Sequence, residues 1–402
     1  MMAAFFKANK QSETISPSLL SAKVLGRYVK KNALFAIVAA VLGLWALQIV
    51  FSYLSELDSL SDTYTTSEAL WYIFYRSPYF LEEFIPTGAL LGAVVGLGLL
   101  ANNSELVVMR AAGVSVYQIV GWALQPALIF VLLALAINQF VLPISNQRAG
   151  EINNDDATSL VTSVRGYWTV QPTLKSTPNG EVVDGNDVLY IDYADVNGNI
   201  GEVKRWHLDN KGNLQSAIHA SGGKYSGKIP LNPESETLTE RYRYNWQLNN
   251  MTELTINQGF DTAQNRKPSQ TLSLPFAPES VYLLTKKADD LSLTQLYAHR
   301  QFMRDQGKRS LDHELAFWQK LLSPLSILSL VIVACSFVFG SLRSHSLGLR
   351  IVVALLFGLL FSYLQDLVGF VALAANLSPL IMVILPIVAS AALGLYLLKR
   401  QM

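Results

Sequence analysis

The sequence predicts a polytopic α-helical membrane protein with six transmembrane helices (3+3) and an inserted all-β, jelly-roll-like domain. Three observations predict this class. Six apolar runs each approach the ~20 residues that a helix needs to cross a bilayer. A long polar segment, residues 143–310, separates the first three runs from the last three. Apolar residues make up 51% of the chain, which a soluble domain rarely sustains.

The apolar runs place the membrane helices. The first run is not a cleaved signal peptide, because no small-residue cleavage site closes it and further spans follow. We predict a disordered cytoplasmic lead at 1–20, three transmembrane helices within 21–142, the β domain at 143–310 and three further transmembrane helices within 311–402. The six runs are Ala33–Leu54, Phe84–Ala101, Ile119–Leu142, Leu315–Phe339, Leu349–Ala375 and Leu380–Leu398.

The lead is mostly polar and shows no apolar periodicity, which is typical of a disordered segment. From Leu19 onward, apolar residues are interleaved with Lys23, Arg27, Lys30 and Lys31. This pattern predicts a short helix at the membrane interface before the first span.

Basic residues indicate which side of the membrane is cytoplasmic, because they favour that side in short loops near the spans. The opposite short loop, Ser55–Arg76, carries four acidic residues against Arg76 alone. We therefore predict that both termini are cytoplasmic and that the insert lies on the far side. Six crossings place these basic residues on one side: Lys7, Lys10, Lys23, Arg27, Lys30, Lys31, Arg110, Arg343, Arg350, Lys399 and Arg400.

The insert has the pattern of short antiparallel strands. Tyr242, Tyr244 and Trp246 alternate with polar residues and are expected to share one face. Ser221-Gly222-Gly223 is a predicted turn. The only cysteine, Cys335, lies in a predicted span, so no intrachain disulfide holds the insert. The inner face of the sheet is either an ordinary packed core or a groove for an acyl-chained ligand.

Several functional classes are excluded by what the chain lacks. The insert carries 18 basic and 19 acidic residues from Pro143 to Ser310, so its charge gives no reason to expect nucleic acid. The chain has no metal-ligand spacing, no G-x-S-x-G elbow and no phosphate-binding loop. We predict no catalytic residue, no metal and no cofactor bound by this chain. The five histidines are scattered at His207, His219, His299, His313 and His345.

The second span carries a stripe of small residues. Gly88, Gly92 and Gly96 recur every four positions, so they lie on one side of a helix and let another backbone approach. The partner backbone belongs either to this chain or to another subunit, and the pattern alone leaves both open.

Four ionisable side chains fall at one depth near the outer boundary of the bilayer, as judged by helical rise. They either pair with one another, or Lys320 handles an anionic lipid headgroup. We call this level the outer rim, and it contains Glu82, Glu83, Lys320 and Asp366.

The cytoplasmic loop at 103–113 predicts a short amphipathic helix. Ser104 and Glu105 suit its start, and Gly113 suits its end. Leu106, Val107, Met109 and Arg110 give it an apolar face with charged flanks. Such a helix is either a docking site for a soluble partner or an interfacial helix lying on lipid.

Local motifs resemble the LptF/LptG permease family of lipopolysaccharide transporters. Ser104–Met109 followed by Ala112-Gly113 is similar to the coupling helix of the family, and Pro86–Gly98 matches the segment before it. The motifs at Ala316–Lys320 and Ser336–Ser344 are closest to the LptG branch. The resemblance extends from about Val24 to Arg400.

The resemblance implies a Gram-negative inner-membrane permease with a periplasmic jelly roll. Such a subunit would pair with an LptF paralogue, rest on an LptB ATPase dimer that uses ATP and Mg, and sit beside a helix of LptC. Together they would move lipopolysaccharide, or lipooligosaccharide, to a periplasmic bridge. Glu105, Leu106, Met109 and Arg110 would contact the ATPase, and Arg343 would lie near it.

The first span departs from the family, because it lacks the late basic residues that would meet lipid phosphates. Ser52 and Asp58 stand in that stretch. The expected substitutes are Lys320 or basic residues near the fourth span such as Arg304, Lys308 and Arg309.

Aromatic side chains are candidates for the wall of a lipid cavity, since a many-tailed amphiphile needs an apolar wall. They are Trp45, Phe51, Phe84 and Phe361.

Two other classes stay open at this point. The same layout serves a mechanotransmission subunit of an ABC system, which would act on periplasmic partners without moving lipid through its membrane part. A membrane enzyme acting on lipid is less favoured because no catalytic cluster is present.

Overall fold

The structure is a computed structural model, and its described residues form two compact units. The membrane unit contains the residues up to Val141 and from Trp318 onward, and the β unit is Leu142–Phe317. The β unit therefore extends seven residues beyond the predicted boundary at residue 310. The described residues are 17–60, 64–153, 166–177, 180–194, 197–230, 242–256, 262–274, 276–305, 307–340 and 345–400.

Ten α-helices are found in the described residues. They are α1 (Pro17–Leu57), α2 (Thr66–Asn102), α3 (Glu105–Ala111), α4 (Val116–Ala136), α5 (Leu142–Asn153), α6 (Pro278–Thr285), α7 (Leu293–Asp305), α8 (Leu311–Phe339), α9 (Leu347–Ala374) and α10 (Pro379–Lys399). A π-helical segment, Ile137–Val141, joins α4 to α5.

Six helical segments are long and apolar enough to cross a membrane, which confirms the predicted six spans. Their boundaries differ from the prediction at two places. Helix α1 begins at Pro17, inside the predicted lead, and the predicted interfacial helix is continuous with the first span. Residues 1–16 lie outside the described residues. The third span continues through the π segment into α5, so Pro143 does not end the helix there.

Two prolines inside spans are accommodated by the serine that precedes each of them. Pro78 has no N–H to donate to the Phe74 carbonyl, and the Ser77 hydroxyl donates to that oxygen instead at 2.9 Å. Ser323, before Pro324 in α8, donates to the Lys320 carbonyl at 3.1 Å. Since lipid offers no other donor, this local bond lets a Ser-Pro pair lie within a span.

The glycine stripe of α2 packs against α1 of the same chain. A Cβ built at Gly88 would lie 3.0 Å from the Cα of Val41, and one at Gly96 would lie 3.0 Å from the Cα of Ala33. At Gly92 a Cβ would overlap the backbone of Ile37. The partner backbone left open by the sequence is therefore that of α1.

The last three spans are joined by side-chain hydroxyls and one glycine. Ser390 of α10 donates to the Ser329 hydroxyl of α8 at 2.9 Å. Gln365 of α9 donates to the Ser326 hydroxyl of α8 at 3.3 Å. A Cβ at Gly394 would lie 3.1 Å from the backbone nitrogen of Val333.

The β unit contains an eight-stranded antiparallel sheet that curls. The order is β1-β2-β4-β5-β7-β6-β3, and β8 pairs with the other edge of β7. The strands are β1 (Tyr167–Thr177), β2 (Gly180–Ile191), β3 (Asn199–Ile200), β4 (Val203–Asp209), β5 (Leu214–Ala220), β6 (Gly222–Pro230), β7 (Tyr242–Ile256) and β8 (Thr262–Leu274).

The sheet is interrupted along one row that crosses three strands. Strands β5 and β6 pair in turn with the same edge of β7, so the predicted turn at Ser221 is a break between two strands and not a reversal. The pairing registers place Ser221 and Pro268 on either side of Asn250, which has a φ of 48°. A left-handed residue beside a proline weakens the ladder there, which allows the sheet to bend.

The core of the β unit confirms the predicted alternation. Tyr244 and Trp246 are both buried, and the side chain of Tyr242 lies outside the description. The Trp246 indole donates to the Phe276 carbonyl at 3.4 Å, and the Phe276 ring contacts Phe302 of α7. This face of the sheet is therefore a packed core against a helix.

Candidate functional site

The candidate site is helix α3, which lies between α2 and α4. Its end follows the prediction: Gly113 has a φ of 89°, its N–H donates to the Arg110 carbonyl, and the Val114 N–H donates to the Met109 carbonyl. These two bonds satisfy carbonyls that the helix end leaves open.

The start of α3 differs from the prediction. Ser104 adopts a left-handed φ of 61°, and among the described residues its side chain makes no capping bond to α3. The helix is reached by a tight backbone turn instead. The Asn103 amide donates to the Glu105 carboxylate at 3.3 Å, which orients that acidic group at the first turn.

The two apolar residues assigned to partner contact face inward. Leu106 and Met109 are each 4% exposed and belong to one cluster of the membrane unit. Their neighbours in that cluster include Leu100 of α2, Val120 of α4 and Phe339 of α8. The assignment of Leu106 and Met109 as outward contacts is corrected: they fix α3 to the spans beneath it.

The outward face of α3 combines two exposed valines with the predicted charged residues Glu105 and Arg110. Val107 is 51% exposed and Val108 is 66% exposed. Arg110 is exposed and Glu105 is partly exposed. We call these four residues the docking face. Val108 was missed because a seven-residue helix with apolar side chains on both faces gives no clear period.

Several predicted residues lie elsewhere. Arg343 lies outside the described residues. Phe361 is 5% exposed, so the structure does not support it as a cavity wall, whereas Phe51 is 59% exposed. Trp45 is fixed by its indole, which donates to the Ser77 carbonyl at 2.9 Å. Phe84 is partly exposed.

The polar candidates of the first span and the β unit are accessible. Ser52 accepts a bond from Gln48 at 3.1 Å, and Asp58 and Arg304 are exposed.

The outer rim is partly assembled by the fold. Glu82 accepts a hydrogen bond from Asn138 of the π segment at 3.4 Å. Glu83 and Asp366 are exposed, and Lys320 is partly exposed. The rim therefore links α2 to the π segment that follows α4.

Two histidines of the β unit form a buried stack. The rings of His299 and His313 lie 3.9 Å apart, and His313 bonds to Ser310 and to the Lys286 carbonyl. Burial lowers the pKa of His299 to about 3, and the His313 ring adds to this effect. The neutral pair joins α7 to the start of α8.

Asp209 has an unusual acidity of a different origin. Backbone and side-chain hydrogen bonds from Asn213 lower the pKa of Asp209 to about 2. In the described part of the chain, no group of three or more His, Cys, Asp or Glu residues could hold a metal ion.

Comparison with known proteins identifies the family of the chain. The model of the family "Lipopolysaccharide export system permease LptF/LptG" matches residues 27–400. The chain is 27% identical over 381 residues to the lipopolysaccharide export system permease protein LptG of Escherichia coli K12, covering 94% of this chain and 98% of that protein. It is 26% identical over 380 residues to the LptG protein of Haemophilus influenzae, with the same coverage.

Proposed function

We propose, from the premise that this chain belongs to the lipopolysaccharide export permease family LptF/LptG, that it is a membrane subunit of an ABC transporter. It takes lipopolysaccharide or lipooligosaccharide from the inner membrane and passes it to a periplasmic protein bridge. Its partners are an LptF paralogue, LptC and an LptB ATPase dimer, which uses ATP and Mg. Both termini are cytoplasmic and the β unit is periplasmic.

The observation that carries the proposal is the docking face on a firmly held α3. Val107 and Val108 are exposed side by side, with Glu105 and Arg110 flanking them. Apolar contacts with charged flanks suit a groove on a soluble protein. Because Leu106 and Met109 are packed under the same helix, a force applied to α3 is transmitted to α2, α4 and α8.

The energy for export must come from that partner. Moving an acyl chain out of lipid costs about 0.8 kcal/mol per methylene. A multiply acylated lipid contains tens of methylenes, so its extraction requires a large input of free energy. The sequence carries no phosphate-binding loop with which this chain would bind ATP itself.

The test is co-purification with the ATPase. Val108→Asp places a charge in the centre of the docking face, and we expect at least a tenfold loss of co-purified ATPase, since an unpaired buried charge is costly. The matched control is Ile229→Asp, at an isoleucine of the β unit with 49% exposure, and it should retain the ATPase.

A substitution of the buried Leu106 provides a second test. Leu106→Asp is expected to lower the yield of folded chain rather than release the ATPase from folded chain. Full retention of the ATPase by folded Val108→Asp protein contradicts the proposal.

A further inference from the structure

The sheet face opposite the buried side chains of Ile191, Val203 and Ala220 carries two adjacent rows of side chains. Registers across six strands align Trp168, Tyr190, Lys204, His219, Thr252 and Arg266 in one row, which we call the mixed row. Two residues further along the same strands lie Val170, Val188, Trp206, Ala217, Leu254 and Gln264, which we call the apolar row. Side chains two positions apart share a face of a strand.

The aromatic side chains of the two rows form a cluster. Trp168 stacks on Trp206 with ring centroids 5.4 Å apart and an interplanar angle of 9°. Trp168 also lies 4.7 Å from Tyr190. Trp168 is 51% exposed. Tyr190 is buried and Trp206 is partly exposed, so the cluster presents mainly the Trp168 ring as an apolar surface beside polar groups.

A cavity of about 170 Å³ adjoins this cluster. Trp206, Ala217 and Leu254 supply its apolar lining, and Lys204, His219 and Thr252 supply polar groups. Drug-sized ligands fill cavities of roughly 300–1,000 Å³. This cavity therefore suits one ring-sized group and not a many-tailed lipid.

The polar groups are held in place before any ligand arrives. Glu202 bonds to the Lys204 ammonium at 2.9 Å and to His219 at 2.6 Å. Burial raises the pKa of Glu202, but the bonds from Lys204 and His219 outweigh this and lower it. Lys204 also lies over the Tyr190 ring at 5.4 Å.

The charges around the mixed row are balanced, with Lys204 and Arg266 facing the carboxylates of Glu202 and Asp192, and Asp192 accepts a hydrogen bond from Tyr190 at 3.1 Å. Lys204 is the cation that lines the cavity. An acyl chain in the cavity would remove water from Lys204 without replacing its hydrogen bonds, which is costly. A ring with an apolar face and charged or hydroxyl substituents can pack on the apolar row and form hydrogen bonds with the mixed row.

We propose that this face binds an anionic sugar residue of the exported glycolipid, with its ring on the aromatic cluster and its carboxylate or phosphate toward Lys204. The inference rests on the proposed function, because export of lipopolysaccharide supplies such a sugar. It assigns the β unit a role in holding the carbohydrate portion of the substrate.

Calorimetry on the full chain in lipid nanodiscs tests the inference. The probes are the fully deacylated, phosphorylated oligosaccharide of lipopolysaccharide, the same material after dephosphorylation, and laurate. We expect saturable binding of the phosphorylated oligosaccharide, and about tenfold weaker binding to Lys204→Gln, because a bond to a charged group contributes about 1.5–3 kcal/mol. Trp206→Phe should weaken the binding of both oligosaccharides.

Trp71→Phe, at a 54% exposed tryptophan of α2, is the matched control and should bind as the unmodified chain does. Saturable laurate binding in place of sugar binding overturns the inference. So does equal affinity in Lys204→Gln, or no saturable binding of either oligosaccharide. ATPase co-purification is measured on the same samples, so failure of the sugar site is distinguished from failure of the proposed function.

Discussion

The two groups of spans are held together by different chemistry. Helices α1 and α2 meet backbone against backbone along three glycines, whereas α8, α9 and α10 meet through serine hydroxyls and one glycine. In the apolar 18-residue stretch of each helix, 72% of the residues of α2 are buried but only 11% of those of α1. Helix α2 is thus central to the unit, and α1 packs on its glycine stripe and also, at Gly26, on Trp122 of α4.

This difference indicates where the membrane unit tolerates substitutions. A backbone contact has no adjustable atoms, so any added side chain must separate the helices. A hydroxyl bond can be lost at a modest cost, since transmembrane side-chain hydrogen bonds contribute about 0.6 kcal/mol on average.

Breaking the glycine contact should have the largest effect. Gly92→Leu introduces a side chain where even a Cβ overlaps the Ile37 backbone, and we expect a loss of about 3 kcal/mol in the free energy of unfolding. The control is Gly43→Leu on α1, because no described atom lies within 4 Å of a Cβ built there. Unfolding of the purified chain in mixed micelles measures both. Equal stability of the two variants would contradict the packing described for α2.

The serine contact should respond less strongly. A double-mutant cycle of Ser329→Ala and Ser390→Ala is expected to give a coupling of at most about 1.7 kcal/mol. The same micelle unfolding measures it. Additive losses would show that the 2.9 Å bond between the two hydroxyls contributes nothing.

The smallest expected effect lies at the outer end of the α1–α2 contact. Trp45→Phe keeps an aromatic ring but removes the indole N–H that donates to the Ser77 carbonyl. We expect a loss of about 0.6 kcal/mol, as for an average bond of this kind. Trp71→Phe, which removes an exposed indole of α2, serves as its control. A loss as large as that of Gly92→Leu would mean that this bond, and not the glycine stripe, holds α1.

Features that repeat locally could be predicted from the sequence. Six apolar runs, glycines every four residues and the alternation at Tyr244 and Trp246 each follow from one element alone. The sequence did not predict which helix supplies the backbone that faces the glycines, because that depends on how the helices pack.

Features that depend on distant contacts were missed or misassigned. Leu106 and Met109 are buried in a cluster that includes residues of α2, α4 and α8, and Phe361 is buried within the bundle. The bend of the sheet requires Ser221, Asn250 and Pro268 to align across three strands, which only the registers show. A π segment in an apolar run carries no separate residue signal.

The central claim is that this chain moves lipid, and one reconstitution tests it most directly. The chain, its paralogue permease and the ATPase dimer are placed in vesicles that contain lipopolysaccharide, and lipopolysaccharide transferred to a soluble periplasmic acceptor protein is counted. We predict transfer that requires ATP and Mg and that is abolished by Val108→Asp. ATP hydrolysis coupled to the chain, with all lipopolysaccharide retained in the vesicles, would contradict the account and favour a mechanotransmission subunit.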